Sequence, residues 1–374
     1  MSLSRITSPY RRIVIKLGTS VLTADTPFLS RPRLIELVRQ CARLRASAIE
    51  LILVSSGAMA AGKEQMGFPE LPPNVPAKQM LSAVGQLHLR GLYKQYFDIY
   101  NIPVGQMLLT RADLQERRRY LNARLTLASL LDHDILPVIN ENDTVTAEEI
   151  RVGDNDNLSA MVATMAEADL LILLTDQTGL FTADPRQDPT AQLITQVERI
   201  DDQLLASAGD SSTGLGTGGM ATKLQAAETA TRGGATVIIA SGSVPDVLPR
   251  LASGEQLGTR FSPSMSRPES RKRWLLAGYT ATGRVIIDGG AQRALIEQGG
   301  SLLPIGVTAV EGDFGRGDTI GVYTTKGREI ARGLARYHAN DVRRIQGRHS
   351  RQIQSILGYE YGDAVIHRND LILL

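Results

Sequence analysis

The sequence predicts an α/β protein: a three-layer αβα sandwich around a mainly parallel sheet, followed by a small β-barrel-like domain. Two observations carry this. Over the first two thirds of the chain, short apolar runs alternate with stretches of helical periodicity. Beyond about residue 260 the apolar runs shorten and turn signals separate them at regular spacing.

Taken in order, Ile13-Val14-Ile15 is a strand that ends in Lys16-Leu17-Gly18-Thr19-Ser20. Residues 32–46 put Leu34, Leu37, Val38, Cys41 and Leu44 on one helical face. Leu51–Val54 is the next strand, stopping at Ser55-Ser56-Gly57-Ala58. Residues 75–100 read as largely helical, Val104–Leu109 as a strand and Leu121–Leu131 as a further helix. A buried strand is expected over 135–139. A helix is expected over 158–168 with Asn157 as its cap, because Leu158, Met161, Val162 and Met165 recur at helical spacing. Leu170–Leu174 is a strongly apolar strand closing on Thr175-Asp176. A Gly-rich loop at 211–219 then leads to a helix from Met220 and a strand over 236–240. Strands alternating with helices favour a parallel sheet covered on both faces.

Ser262 to Arg273 contains two prolines and the basic run Arg271-Lys272-Arg273, and reads as a linker. The expected organisation is a first domain over 1–261, a linker over 262–274 and a second domain over 275–374. In the second domain, strands are expected at Arg284–Ile287, Gly306–Val310, Thr319–Tyr323, Glu329–Leu334 and Ala364–Ile366.

Composition narrows the function classes. A chain of 374 residues favours about two domains at a prior of roughly 150 residues each. A net charge of +2 makes no bulk case for nucleic acid or an acidic membrane as partner. The single Cys41 excludes an internal disulfide and any multi-cysteine metal site, and it fits a reducing compartment. No apolar run approaches the roughly 20 residues of a transmembrane helix, and MSLSRITSPYRR lacks the apolar core of a signal peptide. The default expectation is a cytoplasmic protein.

The chemistry concentrates at strand ends. Residues 140–157 hold acids and amides in two short clusters, Asn140-Glu141-Asn142-Asp143 and Asp154-Asn155-Asp156-Asn157. Taken alone, such a run is often a solvated loop. Here it follows an apolar strand and opens a core-facing helix, the place where open α/β sheets bind ligands. Acids suit the ammonium of a small zwitterion; amides and helix N–H groups suit its carboxylate. Lys16 followed by Gly18 is either a solvated strand end or a cation that meets phosphate. Ser56-Gly57-Ala58 is a cap, or a turn presenting N–H groups to an anion. Asp176 either caps a turn, contacts a nucleotide or orients a lysine.

Gly214, Gly216 and Gly219 match a dinucleotide-binding spacing, but no strand leads into them. Gly62-Lys63 is followed by Glu64, so there is no Walker A loop, and protein-kinase signatures are absent. What remains is Gly216-Thr217-Gly218-Gly219-Met220-Ala221-Thr222-Lys223. A lysine near a helix N-terminus conflicts with the helix dipole unless an anion is close. The five histidines show no metal-ligand spacing. Two lysines, a Gly-rich loop, backbone anion sites and an acid–amide cluster form the set that phosphoryl transfer needs.

At these residues the chain resembles the amino acid kinase family, in its glutamate-phosphorylating branch. The motifs are VIKLGTSVL, SSGAMAAG, GQMLLTRAD, PVINEND, VGDNDNLSA, LLTDQTGLFTADPR and GTGGMATK. From about residue 275, SLLPIGV, GDFGRGDTI, ILGYEYG and VIHRNDLIL resemble a PUA domain.

The resemblance implies ATP-dependent phosphorylation of the γ-carboxylate of L-glutamate, the first step from glutamate to proline. It implies that Lys16 reaches the transferred phosphoryl group, that Lys223 neutralises the leaving-group side and that Asp156 orients both lysines. Ser56, Asp143 and Asn155 would hold glutamate, supported by Gly57, Ala58, Asn140 and Asp154. Thr175, Asp176 and the segment Thr217, Gly218, Gly219, Met220, Ala221, Thr222 and Lys223 would bind ATP, with Mg²⁺ held through ATP phosphates and waters. It further implies a homo-oligomer, a tetramer by analogy, inhibition by proline and a downstream glutamyl phosphate reductase as a partner. PUA domains elsewhere bind RNA. Arg343, Arg344, Arg348 and Arg351 make a basic stretch, yet the near-neutral net charge argues against RNA as the main partner. Other family members that act on N-acetylglutamate, aspartate or UMP are the nearest alternatives.

Overall fold

A computed structural model describes residues 5–146, 154–185, 188–201, 204, 219–264, 266 and 281–374. The chain divides into two compact units, Met1–Leu114 with Ala123–Arg267, and Gln115–Asn122 with Pro268–Leu374.

The first unit is built on ten strands. In chain order they are β1 (Arg12–Leu17), β2 (Glu50–Ser55), β3 (Val104–Leu109), β4 (Leu136–Glu141), β5 (Leu170–Thr175), β6 (Leu180–Phe181), β7 (Leu193–Ile194), β8 (Gln196–Val197), β9 (Thr236–Ser241) and β10 (Thr259–Phe261). Eight of them form one sheet in the order β3-β4-β2-β1-β5-β9-β10-β8, and β6 pairs separately with β7. Every pairing in the large sheet is parallel except β9 with β10. Buried on both faces, the central strands β1, β2, β4, β5 and β9 are near-continuous apolar runs, which makes them legible without alternation.

The helices are α1 (Thr19–Thr23), α2 (Arg31–Ala46), α3 (Ala58–Gln65), α4 (Val75–Asp98), α5 (Arg111–Gln115), α6 (Arg117–Asp132), α7 (Asp154–Met165), α8 (Met220–Arg232) and α9 (Val247–Ala252). Side-chain alternation along β1 sorts them into layers. Ile13, Ile15 and Leu17 enter a core with Leu34, Leu37 and Cys41 of α2, Leu89 and Tyr93 of α4, and Leu248 of α9. Lys16 has the opposite parity, as does Val14. That face carries α7, which packs on β1 and β5 and against α8. The alternation thus delivers Lys16 to the α7 side of the sheet.

Helix α2 begins with Ser30 accepting from the Arg33 backbone N–H, and α4 with Asn74 accepting from that of Ala77. Helices α3 and α4 cross at glycines. A Cβ on Gly62 would lie 2.0 Å from the Leu81 carbonyl oxygen, and one on Gly85 would lie 1.8 Å from that of Ala58. The two backbones therefore touch directly.

Helix α7 starts at Asp154 and ends at Met165. The expected start at Leu158 with Asn157 as cap is corrected: Asn157 lies inside the helix. Apolar periodicity marks only the buried face, whose first member is Leu158. The polar first turn carries no such mark, although acids there suit the helix dipole.

The second unit carries a five-stranded sheet in the order β12-β11-β13-β14-β15. Its strands are β11 (Gly283–Ile287), β12 (Val307–Gly312), β13 (Thr319–Thr324), β14 (Glu329–Leu334) and β15 (Leu371–Leu373). Pairing is antiparallel apart from β11 with β13. Helices α10 (Gly289–Gln298), α11 (Ala339–Ile345) and α12 (Ile353–Leu357) accompany it. Val285, Val322, Tyr337, Val342 and Ile366 belong to its core. The strand expected at Ala364–Ile366 is absent. Ile366 makes only an isolated bridge to Leu302, and the fifth strand is β15, after the turn at Arg368–Asp370. Burial of Val365 and Ile366 explains the apolar run without a ladder.

Candidate active site

Three elements of the first unit bring the two lysines and one acid together. Strand β1 supplies Lys16 on its α7 face. Helix α7 supplies Asp156 from its first turn, and α8 supplies Lys223, its fourth residue. Lys16 Nζ lies 2.6 Å from Asp156 Oδ1, and Lys223 Nζ lies 3.2 Å from Asp156 Oδ2. Thr222 Oγ1 donates to the same Oδ2 at 3.0 Å. Asp156 is 0% exposed, and the lysines are 5% and 6% exposed. A charge this dry persists only when it is paired.

The electrostatics are asymmetric. Burial pushes the Asp156 carboxyl up, but Lys16, Lys223 and the hydrogen bonds from Lys16 and Thr222 outweigh it, holding the group below its ordinary value. Burial pulls the Lys223 ammonium below its ordinary value; Lys16 acts in the same direction, and Asp156 only partly offsets them. Two ammonium groups share this one buried carboxylate, and Asp176 also acts on Lys223. The burial that depresses Lys223 is relieved by a further anion placed beside it.

The neighbouring residue on α7 leads into a chain of amides. Asn155 Nδ2 donates to Ser56 Oγ and to Asn140 Oδ1, both at 3.1 Å. Asn140 Oδ1 also accepts from the Glu141 backbone N–H at 2.9 Å, and Asn140 Nδ2 donates to Gln86 Oε1 at 2.7 Å. Asn140 and Glu141 are 2% and 6% exposed, so the solvated-loop reading fails for the end of β4. Ser56 precedes Gly57, which caps α3 at φ +97°, a conformation that favours glycine. Gly57 and Ala58 are buried where α3 begins, at the helix end that presents backbone N–H groups.

The other expected residues fall into place unevenly. Thr175 ends β5 and donates to Asp176 Oδ1 at 2.9 Å. Asp176 is exposed and lies close enough to Lys223 to act on its charge. Gly219 caps α8, and Met220 and Ala221 form its first turn. Asp143 lines a cavity of about 300 Å³ with Ser82, Gln86, Arg90 and Glu141. Thr217 and Gly218 lie outside the described residues, as does the side chain of Asp154.

Gln86 was not foreseen. It is a half-buried polar residue on α4, and nothing in the periodicity of that helix marks it. The pairing of Thr222 with Asp156 was not foreseen either; the residue was expected only on the nucleotide side.

Residues 11–241 match the Amino acid kinase family, and residues 283–357 match the PUA domain. A curated glutamate 5-kinase from Cronobacter sakazakii is 55% identical over 360 residues, covering 96% of this chain and 98% of its own. One from Photobacterium profundum is 55% identical, covering 98% of this chain and 97% of its own. A solved UMP kinase from Bacillus anthracis has a TM-score of 0.47 at 18% identity, covering 69% of this chain and 98% of its own.

Proposed function

The chain belongs to the amino acid kinase family, and on that premise we propose that it is a glutamate 5-kinase, transferring the γ-phosphoryl group of ATP to the γ-carboxylate of L-glutamate. The product is L-glutamyl 5-phosphate, the first intermediate from glutamate to proline. The high identity to curated glutamate 5-kinases over nearly the full chain supports this reading. The observation that carries it is the buried Lys16–Asp156–Lys223 cluster, which adjoins the Ser56–Asn155–Asn140 amide chain because Asp156 and Asn155 are consecutive on α7.

A carboxylate with a reference pKa of about 4.3 is already ionised at neutral pH, so the acceptor needs no general base. The difficulty is to bring two anions together. Lys16 stabilises charge on the phosphoryl group in transfer, and Lys223 stabilises the charge that builds on the leaving side. Asp156 holds both ammonium groups and fixes their directions. Ser56 and the start of α3 receive the substrate's carboxylate; Asn155 and Asp143 receive its ammonium, with Asn140 holding Asn155 in place. Thr175, Asp176 and the Thr217–Lys223 segment hold the nucleotide.

Among the described residues no three acids, histidines or cysteines cluster as a metal site. A divalent cation such as Mg²⁺ keeps several waters and binds mainly through substrate phosphates, so we assign it to the nucleotide's phosphates. It would neutralise phosphate charge alongside the lysines.

Proline matches the backbone of glutamate with its side chain cyclised. We infer competition between the two in this pocket, in a homo-oligomer. Asp143→Ala that weakens glutamate binding yet leaves proline inhibition intact would refute shared occupancy.

The test of the main reading is trapping of acyl phosphate with hydroxylamine, given ATP and Mg²⁺, with L-glutamate, N-acetylglutamate and L-aspartate offered in parallel. Product from L-glutamate alone, lost in Lys223→Ala, is the expected result. Turnover of N-acetylglutamate instead would overturn the assignment of the acid–amide cluster to an ammonium.

A further inference from the structure

Gln86 sits on α4 beside the Gly85 crossing, outside the residues assigned above to substrate or nucleotide. Its Oε1 accepts from Asn140 Nδ2 at 2.7 Å. The Glu141 backbone N–H can only donate, so it fixes Asn140 Oδ1 as the acceptor, and Gln86 holds the NH₂ side of the same amide. With Nδ2 committed to Gln86, Asn140 turns Oδ1 toward the Glu141 N–H and Asn155 Nδ2. Asn155 Nδ2 is thereby fixed between Asn140 Oδ1 and Ser56 Oγ. The remaining amide atom, Asn155 Oδ1, is buried and has no hydrogen-bond partner among the described residues. A buried carbonyl oxygen left this way costs free energy, and an N–H group on a ligand relieves it.

The geometry assigns Gln86 as a positioning residue: together with the Glu141 N–H it holds the sense of the Asn140–Asn155 relay, so that Asn155 offers an acceptor to the substrate's ammonium group. The assignment deepens the glutamate reading and rests on it. Reversing the sense would turn the Asn155 NH₂ group toward the ligand, setting donor against donor. Gln86 contributes through Asn140 and Asn155, so its effect belongs to recognition of the ammonium and not to the phosphoryl group.

The surroundings permit a clean test. Arg90, one turn further along α4, lines the same two cavities as Gln86, of about 240 and 300 Å³. A glutamate at position 86 keeps an acceptor oxygen and gains Arg90 as a counter-charge. A methionine keeps the length and removes the acceptor. We would assay Gln86→Met and Gln86→Glu with L-glutamate and with glutarate, which lacks the ammonium, as substrate or competitive inhibitor. Gln86→Met is expected to raise the KM for L-glutamate roughly tenfold, the worth of one hydrogen bond to a charged group. Its KM for ATP and its affinity for glutarate should stay near wild type. Gln86→Glu should retain the preference for L-glutamate over glutarate.

A structural role alone would weaken both ligands in parallel, so a parallel loss overturns the assignment. An unchanged glutamate preference in Gln86→Met does the same, as does loss of that preference in Gln86→Glu. Turnover of L-glutamate by the wild-type chain in the same series separates the two levels. Its absence overturns the glutamate reading and this assignment with it, whereas normal turnover with an unshifted Gln86→Met overturns this assignment alone.

Discussion

Lys16 Nζ and Asp156 Oδ1 stand 2.6 Å apart, with the carboxylate side chain fully buried. The same carboxylate holds Lys223 through its second oxygen. A strand end and two helix starts are thus pinned to one acid. Removing that acid should cost both fold and function.

Asp156→Asn leaves two dry ammonium groups with no countercharge between them. Breaking a buried ion pair from one side costs about 3–5 kcal/mol. The variant should melt well below wild type and lose most of its kcat. ATP should raise its melting temperature more than it raises that of the wild type, because phosphate replaces the missing charge. Equal shifts in both proteins, followed by calorimetry, would contradict the role given to Asp156.

The depressed pKa of Asp156 sets an acid limit. Its folded value lies below its unfolded value, so its stabilising contribution is fully present above the unfolded pKa of about 3.9 and is lost as pH falls through the folded value. Wild type should therefore lose stability on acidification more steeply than Asp156→Asn, which has no such group to protonate. Parallel denaturation curves below about pH 4 would refute this.

Lys223 gives the opposite end of the scale. Its folded pKa is lowered from the ordinary 10.5. Between the folded value and 10.5 the unfolded chain binds more protons, so this group's contribution to stability rises with pH. Nucleotide phosphate should reverse the depression, so ATP binding should take up protons, increasingly as pH rises toward the folded value. Titration calorimetry in buffers of different ionisation enthalpy measures this directly. Lys223→Met should abolish the uptake; if it persists there, another group is responsible.

Gly85→Ala should be far more damaging than an ordinary helix substitution, although alanine is the better helix former. Its Cβ would meet the Ala58 carbonyl oxygen at 1.8 Å. Neither backbone can yield without separating α3 from α4, so a loss of about 2 kcal/mol or more is expected. A melting temperature equal to wild type would show that the helices have room to part.

Much of this was legible in the sequence because burial on both faces turns strands into plain apolar runs. β1, β2, β4, β5 and β9 therefore stood out, and with them the strand ends that carry Lys16, Ser56, Asn140 and Thr175. The start of α7 was less legible. Its first turn consists of Asp154, Asn155, Asp156 and Asn157, residues that serve equally as caps, loop residues or ligands. Strand β15 was missed because an equally apolar run, Val365-Ile366, is buried without pairing into the sheet. Gln86 was invisible for a different reason. Its partner Asn140 is 54 residues away, and no local pattern encodes a hydrogen bond between a helix and a distant strand end.

The glycine crossing of α3 and α4 has a mechanical consequence. Where two helices meet through side chains, they can slide as those side chains change rotamer. Gly62 and Gly85 leave no such bearing between them, so the pair should turn as a single rod. One end of that rod is the start of α3, next to Ser56. Leu87, 70% exposed, lies on the outer surface of α4. A small displacement when ligand reaches Ser56 would be carried to the surface at Leu87, making that position a gauge of what occupies the pocket inside.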